Sequence, residues 1–537
     1  MSSNSTPHPE RPNQAESRQS SLSAQREPFV PPRPVLDQVS GRVLDPGTAL
    51  SVKNVRPRST VYVGPRLIVS LTPDTPRVIQ QLQEVAESLG WVATVHTDDE
   101  AKAAEPPREA VPRVVRLDLA VKDETATLAP DGWVLLQNAR ARFGIEAMSR
   151  VGLDHVVLIR SIDSNPFHSP SPFHSPSPFH SPSPASGVAD SAAISSYGAP
   201  GFGGRQPMMY VGPGPVRRTD DEIVGRRPVV ATLDTGCGKH DWLAPVVSHG
   251  PSLDGQPIGY VDDASDPEKW FDQVGALDGG IDPLAGHGTF IAGLIHQGCP
   301  DADILAWRIV GSDGPVVESD LVKALGDIAE VARRHRDGEE GGHPIDVLSL
   351  SMGYYHETPE DLLFDPTMYD ILKLLGECGV SVVCSAGNDA TARPMFPAAF
   401  APWADGKGGV PATKDLVPVV SVGALNPNGT DALFSNAGPW VRAYAPGASV
   451  MSTLPQFQGG LEPAARTEAY QRVRESIDPD DFTGTFALWS GTSFAAPLFA
   501  GRVATKLCDT IDPDHDDRSS AVQRGWQALT GITDLTP

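Results

Sequence analysis

The stretch Pro228-Val229-Val230-Ala231-Thr232-Leu233-Asp234-Thr235-Gly236 sets the frame for the chain. Its apolar run reads as a strand buried on both faces, and it ends on a carboxylate followed by a Thr-Gly turn. Further strand-like runs lie at 304–309, 347–351, 380–384 and 419–422, with helical spacing at 289–295, 320–334 and 368–378. Buried strands alternating with helices predict an α/β domain over 227–537, three layers deep, with a mostly parallel sheet. In such sheets functional side chains gather outside the carboxyl ends of the strands. Asp234, Ser351-Met352-Gly353 and Asn388 each follow a strand, which is consistent with one site.

Two more segments supply matching chemistry. His287 sits in Gly286-His287-Gly288-Thr289, directly before the apolar run 290–295. Ser493 sits in Trp489-Ser490-Gly491-Thr492-Ser493-Phe494-Ala495-Ala496-Pro497, between a tight turn and a small-residue helix start. A serine hydroxyl is a weak nucleophile at neutral pH and needs a base within hydrogen-bond reach. Imidazole titrates near the working pH, and a carboxylate holds its tautomer and stabilises its charged form. Asn388, in Ser385-Ala386-Gly387-Asn388-Asp389, is placed to donate to an oxyanion beside the Ser493 amide. Pro497 is expected in the first helical turn, where a missing N–H costs little.

Together, Asp234-Thr235-Gly236, Gly286-His287-Gly288-Thr289 and the segment from Gly491 to Pro497 closely resemble the signatures of the subtilisin-like serine proteases. The chain order Asp, His, Ser is also that of subtilisin. The resemblance spans about 227–515 and implies a subtilisin-like three-layer fold and serine endopeptidase activity on protein or peptide substrates. It implies Asp234, His287 and Ser493 as the triad and Asn388 as oxyanion donor. Ser351, Met352, Gly353, Ala386 and Gly387 are implied as substrate-binding positions. No cofactor is required. Calcium is a family habit, but no ligand loop indicates it, and Asp262, Asp263, Asp301 and Asp303 read as surface charge. Cys237 departs from the aliphatic residue common after Asp-Thr-Gly, and the stretch 454–488 is long for the family. The competing class is a non-catalytic protein-binding scaffold that keeps the protease fold. An aspartic protease is disfavoured, because Asp234-Thr235-Gly236 has no second copy to share a proton with it.

Upstream the order of strand and helix signals is β-α-β-β-α-β over 59–161, which predicts a small α+β ferredoxin-like domain. The resemblance suggests a propeptide that caps the active site, so the chain's own N-terminal domain is an expected inhibitor; an accessory recruitment domain is the alternative. Residues 1–58 have the composition of disorder. Residues 162–226 read as a Pro/Ser/Gly-rich linker, opening with three tandem copies of Pro-Phe-His-Ser-Pro-Ser from Pro166. Its His168, His174 and His180 are better read as solvated linker residues than as a metal site.

Composition limits the remaining options. A net charge of -24 disfavours nucleic acid and anionic membrane as partners. No stretch reaches the roughly 20 apolar residues of a membrane span. Five scattered cysteines form no disulfide framework, and the first thirty residues carry no apolar core of a secretory signal. A cytoplasmic location is therefore expected.

Overall fold

The protein is described from a computed structural model covering residues 27–53, 56–104, 111–123, 127–159, 194, 196–275, 277, 279–312, 314–358, 366–459 and 465–537. The tandem repeat with its three histidines lies outside the described residues.

The N-terminal unit contains β1 (Gly41–Leu44), β2 (Thr60–Ser70), α1 (Thr75–Ser88), β3 (Trp91–Val95), β4 (Val114–Val121), α2 (Gly132–Phe143) and β5 (Val151–Ile159). Its sheet runs β5-β2-β4-β3 with every neighbouring pair antiparallel. Helix α1 forms because Val78, Ile79, Leu82, Val85 and Ala86 recur at helical spacing and bury one stripe against that sheet. Leu67, Trp91, Leu117, Trp133 and Leu153 complete this core. The expectation of disorder across residues 1–58 is corrected at 33–44. Arg33–Gln38 is helical, and β1 pairs antiparallel with the start of β2. Leu36 and Leu44 anchor the segment by burial. Two buried leucines eight positions apart give no periodicity, and the strand owes its existence to its partner, so nothing local announces it.

The larger unit begins with β6 (Val229–Asp234), followed by β7 (Val247–His249), α3 (His287–Gly298), β8 (Asp303–Arg308) and α4 (Glu318–Asp337). Next come β9 (Val347–Leu350), β10 (Met352–Gly353), α5 (Pro366–Glu377), β11 (Ser381–Ser385), β12 (Val420–Leu425), β13 (Ala443–Pro446), β14 (Phe486–Trp489) and α6 (Thr492–Leu507). Seven strands form one sheet in the order β13-β12-β11-β9-β6-β8-β7, all parallel. Leu321, Leu325 and Ile371 of α4 and α5 pack on one face. Phe290, Ile295, Phe499 and Val503 of α3 and α6 pack on the other. The edge strands β7 and β13, of three and four residues, are too short to carry a readable pattern. Within 454–488, Arg466–Ala469 and Arg472–Glu475 form an exposed hairpin.

The linker reading is also corrected in part. Gln206-Pro207 pairs antiparallel with β14. Arg217 binds Asp303, Arg218 binds Asp301 at 2.8 Å, and Arg226 binds Asp346 and Asp516, each at 2.6 Å. Residues 196–226 are thus fastened to the larger unit by arginine pairs, which leave no hydrophobic period in the sequence.

The two units meet along β5. Its Val156 and Val157 pair antiparallel with Val317 and Val316, and its Leu158 and Ile159 pair with Gly353 and Met352 of β10. Helix α4 has no side-chain cap of its own, since Val317 precedes it. Asp154 supplies one from the other unit, accepting from the Ser319 N–H at 2.8 Å and hydroxyl at 2.9 Å. His155 is buried between two carboxylates, with Nδ1 at 2.5 Å from Glu318 and Nε2 at 2.8 Å from Glu357. Tyr354 stacks on its ring and donates to Glu318 at 2.5 Å. His356 stands beside it, and Arg140 of α2 contributes positive potential at Glu357. His155, His356 and Glu357 are close enough to hold a metal ion, but both His155 nitrogens are already spent on carboxylates.

Burial opposes a charge on His155, yet the Glu318 and Glu357 carboxylates outweigh it and raise the imidazole to about 10. Burial instead pushes neighbouring His356 down to about 4. A folded-state pKa above the ordinary value means that the His155 contribution is complete below about 6.5 and is lost as pH rises through about 10. Removing one member of a buried pair costs on the order of 3 kcal/mol, or roughly 6 °C in Tm for a domain this size. His155→Gln should therefore lower Tm by about that amount at pH 7, and the gap to the unsubstituted chain should shrink as pH approaches 10. Thermal melts at pH 6, 7, 8, 9 and 10 check this; a gap that stays constant with pH contradicts it.

Candidate active site

The carboxyl rim of the parallel sheet gathers the candidate residues. Asp234 is the last residue of β6, and its Oδ1 accepts from the Thr235 N–H at 2.8 Å and lies 2.7 Å from His287 Nδ1. A carboxylate can only accept, so Nδ1 carries the proton and Nε2 is the basic nitrogen. Nε2 is buried and has no hydrogen-bond partner among the described residues. The ring is walled by Trp489, edge-on at 5.8 Å, and by Phe494 at 5.3 Å. Helix α3 starts on His287 because Gly286 adopts φ 79, where a side chain would also strike Leu454 at 2.7 Å. A Cβ on Gly288 would lie 2.1 Å from the Gly236 carbonyl, so this glycine is required by close approach.

Glu268 was not anticipated from sequence. Its Oε1 accepts from the Thr235 hydroxyl at 2.5 Å and the Gly288 N–H at 2.8 Å, and its Oε2 accepts from the Thr289 hydroxyl at 2.5 Å. The carboxyl therefore ties the turn after Asp234 to the start of the helix that carries His287. A carboxylate is well suited to the positive end of a helix. Burial nevertheless raises Glu268 to about 7, against the lowering from Thr235 and Thr289. The tripeptide Asp266-Pro267-Glu268 resembles any surface loop, so only the fold reveals the role.

Ser493 lies in the first turn of α6. Pro497, expected in that turn, sits one turn further along, inside the helix. There its missing N–H would have bonded the carbonyl of residue i−4, which is Ser493. The Ser351 hydroxyl takes that place, donating to the Ser493 carbonyl at 2.9 Å. In return the Ser493 Oγ donates to the Ser351 carbonyl at 3.4 Å. Asn388 follows β11, and its Oδ1 accepts from the Thr492 N–H at 2.9 Å and hydroxyl at 2.8 Å. Both donors fix the amide, leaving Nδ2 on the side of Gly491, beside the nucleophile. The Gly387 N–H donates to the Thr492 hydroxyl at 3.0 Å.

Ser351, Met352, Gly353, Gly387 and Asn388 line one cleft with Ser493, and the N-terminal unit contributes Val156 and Leu158 to the same walls. Ala386 does not line it; its N–H is spent on Val422 and its carbonyl on Asn436. With the N-terminal unit docked, Ser493 is only 2% exposed. The four aspartates weighed for calcium do not fit that ion, because each is paired with a cation. Asp262 binds Arg308, Asp263 binds Lys269, Asp301 binds Arg218 and Arg227, and Asp303 binds Arg217.

Chemically, the rim offers a hydroxyl, an imidazole with a fixed tautomer, a carboxylate and an amide donor, as acyl transfer requires. Replacing Glu268 should expose how this geometry is held. Glu268→Ala leaves the buried Thr289 hydroxyl without its acceptor, while the Gly288 N–H keeps the Thr235 hydroxyl oxygen and the Thr235 hydroxyl keeps Asp234. One buried donor left unpaired costs about 1–3 kcal/mol, so denaturant titration should show a loss of about that size, with Glu268→Gln losing less because it keeps an acceptor oxygen. Equal stability of Glu268→Ala and the unsubstituted chain would remove Glu268 from this role.

Residues 225–509, more than half of the chain, match the subtilase family. Relatives include an intracellular serine protease of Paenibacillus polymyxa, 26% identical over 298 residues, or 52% of this chain and 66% of the relative. The major intracellular serine protease of Bacillus subtilis (strain 168) is 25% identical, over 44% of this chain and 63% of its own length. An extracellular protease of Xanthomonas campestris pv. campestris is 26% identical, over 56% and 46% respectively. The chain thus spans less than two thirds of the length of these relatives. Among solved structures, fervidolysin from Fervidobacterium pennivorans aligns with 86% of this chain and 56% of its own, at TM-score 0.42 and 18% identity.

Proposed function

Because this chain belongs to the subtilase family, we propose that it is a serine endopeptidase acting on protein or peptide substrates. The observation that carries this reading is the 2.7 Å contact between Asp234 and His287 Nδ1, which leaves Nε2 buried, unpartnered and basic against the helix that bears Ser493. In the proposed reaction the Ser493 hydroxyl turns from the Ser351 carbonyl to His287 Nε2, gives up its proton there and attacks the scissile carbonyl. Asp234 holds the ring and stabilises the imidazolium. Asn388 Nδ2 and the Ser493 N–H receive the oxyanion. His287 then returns the proton to the leaving amine, and water hydrolyses the acyl-enzyme by the same steps. Apart from the hydrolytic water, the proposed steps use groups of the chain itself. A cytoplasmic location is supported by two relatives named as intracellular, while a third is named as extracellular.

The proposal extends to restraint. An extended substrate would pair with the free edge of Met352-Gly353, and that edge is taken by Leu158 and Ile159 of the chain's own N-terminal unit. We therefore read this unit as the resident inhibitor of the cleft. No helix among the described residues is long and apolar enough to cross a membrane.

A fluorophosphonate probe tests both parts. Labelling should require Ser493 and be lost in Ser493→Ala. In peptide hydrolysis, Asp234→Asn should lower kcat by about 10⁴-fold. Asn388→Ala should lower it by about 10²–10³-fold, the cost known for the same kind of donor in subtilisin. Cleavage by an added protease between residues 160 and 193, followed by removal of the N-terminal fragment, should speed labelling. No Ser493-dependent labelling after that release would overturn the enzyme reading in favour of a binding scaffold. Equal labelling before and after would overturn only the inhibition.

A further inference from the structure

Five cysteines scattered along the sequence gave no sign of pairing, yet the fold brings two of them together. Cys299 directly follows α3 and Cys508 directly follows α6, and their sulfurs are 3.7 Å apart across 209 residues of chain. The two helices share a further symmetry. Helix α3 begins on His287 and α6 begins beside Ser493, so each carries a triad residue at one end and a cysteine at the other.

The packing explains the approach. Leu498, Gly501, Thr505 and Cys508 recur at steps of three and four and share one face of α6. Gly501 has so little room that a Cβ would lie 2.8 Å from the Ile295 carbonyl, and one on Gly298 would lie 3.0 Å from the Gly501 Cα. One turn on, the Thr505 hydroxyl donates to the Gly298 carbonyl at 2.7 Å. The next position on that face is Cys508, opposite Cys299. With the backbones held this close, the sulfurs stand 3.7 Å apart, against the roughly 2.05 Å of a disulfide.

We propose that Cys299 and Cys508 are a redox modification site, which low-molecular-weight disulfides oxidise to a cystine that bolts together the far ends of the two catalytic helices. Cys299 is buried while Cys508 is partly exposed, so one sulfur of the pair is open to an external oxidant. The hydrogen bond they share lowers the Cys299 thiol, to about 7, and raises the Cys508 thiol, so the pair shares one thiolate in neutral solution, held on Cys299 beside the more exposed Cys508. The steps balance with glutathione disulfide. One cysteine thiolate displaces a glutathione thiolate, forming a mixed disulfide, and the second cysteine thiolate displaces the other. One S–S bond breaks in the oxidant and one forms in the protein. The two cysteine protons end on two molecules of glutathione, and the protein gives up two electrons. The other three cysteines lack such a partner: Cys378 and Cys384 are buried with thiols raised mainly by burial, and Cys237 lies on the turn after Asp234.

A crosslink over a span this long restricts the unfolded chain strongly. It touches neither His287 nor Ser493, which stand at the opposite helix ends, so it should harden the domain without altering its chemistry. The full chain is incubated with glutathione disulfide or with reduced dithiothreitol, then compared by non-reducing peptide mapping, thermal melting and rate of fluorophosphonate labelling. The expected result is a linked peptide pair holding Cys299 and Cys508 and a Tm raised by roughly 5–10 °C. Labelling at 25 °C should be unchanged, and Cys299→Ser and Cys508→Ser should each abolish the Tm response. Absence of the linked peptide, an unchanged or lowered Tm when it forms, or a Tm response that survives Cys508→Ser would each overturn the proposal. Peptide mass and Tm need no catalytic activity, so this test stands apart from the reading of the site as a protease.

Discussion

The distance at which α3 and α6 pack controls everything proposed for this molecule. One helix starts on His287 and the other starts beside Ser493, so their packing bears on the separation of the proposed base and nucleophile. Gly298 and Gly501 permit a near backbone contact. A methyl group at Gly501 would meet the Ile295 carbonyl at 2.8 Å and force a shift there, while one at Gly298 would ask its neighbours to give by a few tenths of an ångström. Thr505 locks the same contact with a hydrogen bond to Gly298. The chemistry at one end of this pair is therefore bought by small residues at the other.

Around that contact, each local irregularity has a compensating partner. Pro497 strips the Ser493 carbonyl of its helical donor, and Ser351, between β9 and β10, restores one. This couples the position of the proposed nucleophile to the edge proposed to receive a peptide. Thr492 uses both its N–H and its hydroxyl to orient Asn388, so oxyanion donor and nucleophile are positioned by adjacent residues of one helical turn. Glu268 performs the matching task for Asp234 and His287. Asp234, His287 and Ser493 are thus held by side chains outside the proposed triad.

How much of this was legible depended on whether a role was written locally. Asp234 closes an apolar strand, His287 is flanked by glycines and Ser493 follows a Gly-Thr turn, so each announces itself within a few residues. The α/β class was readable for the same reason, since the central strands are continuous apolar runs. Glu268, His155, Cys299 and Cys508 were not readable. Their significance comes from partners 20 to more than 200 positions away. The short edge strands β7 and β13 and the paired segment 41–44 take their stability from neighbours rather than from their own pattern. Pro497 was misplaced by a turn because the helix boundary, not the residue, was uncertain.

The restraint proposed for the cleft has two parts of different chemistry. At β10 the N-terminal unit pairs by backbone hydrogen bonds with an edge that an extended peptide could take in its place. Such a contact is inherently exchangeable, because a rival peptide offers the same groups. Asp154 and His155 are not exchangeable in that sense. They put an acceptor on the open start of α4 and a cation between Glu318 and Glu357, and a peptide in the cleft supplies neither. Once His155 leaves, two buried carboxylates lose their shared partner, a cost that edge pairing alone would not impose. The preference proposed for the N-terminal unit over a rival peptide thus rests outside the cleft, in side chains on the flank of the same strand.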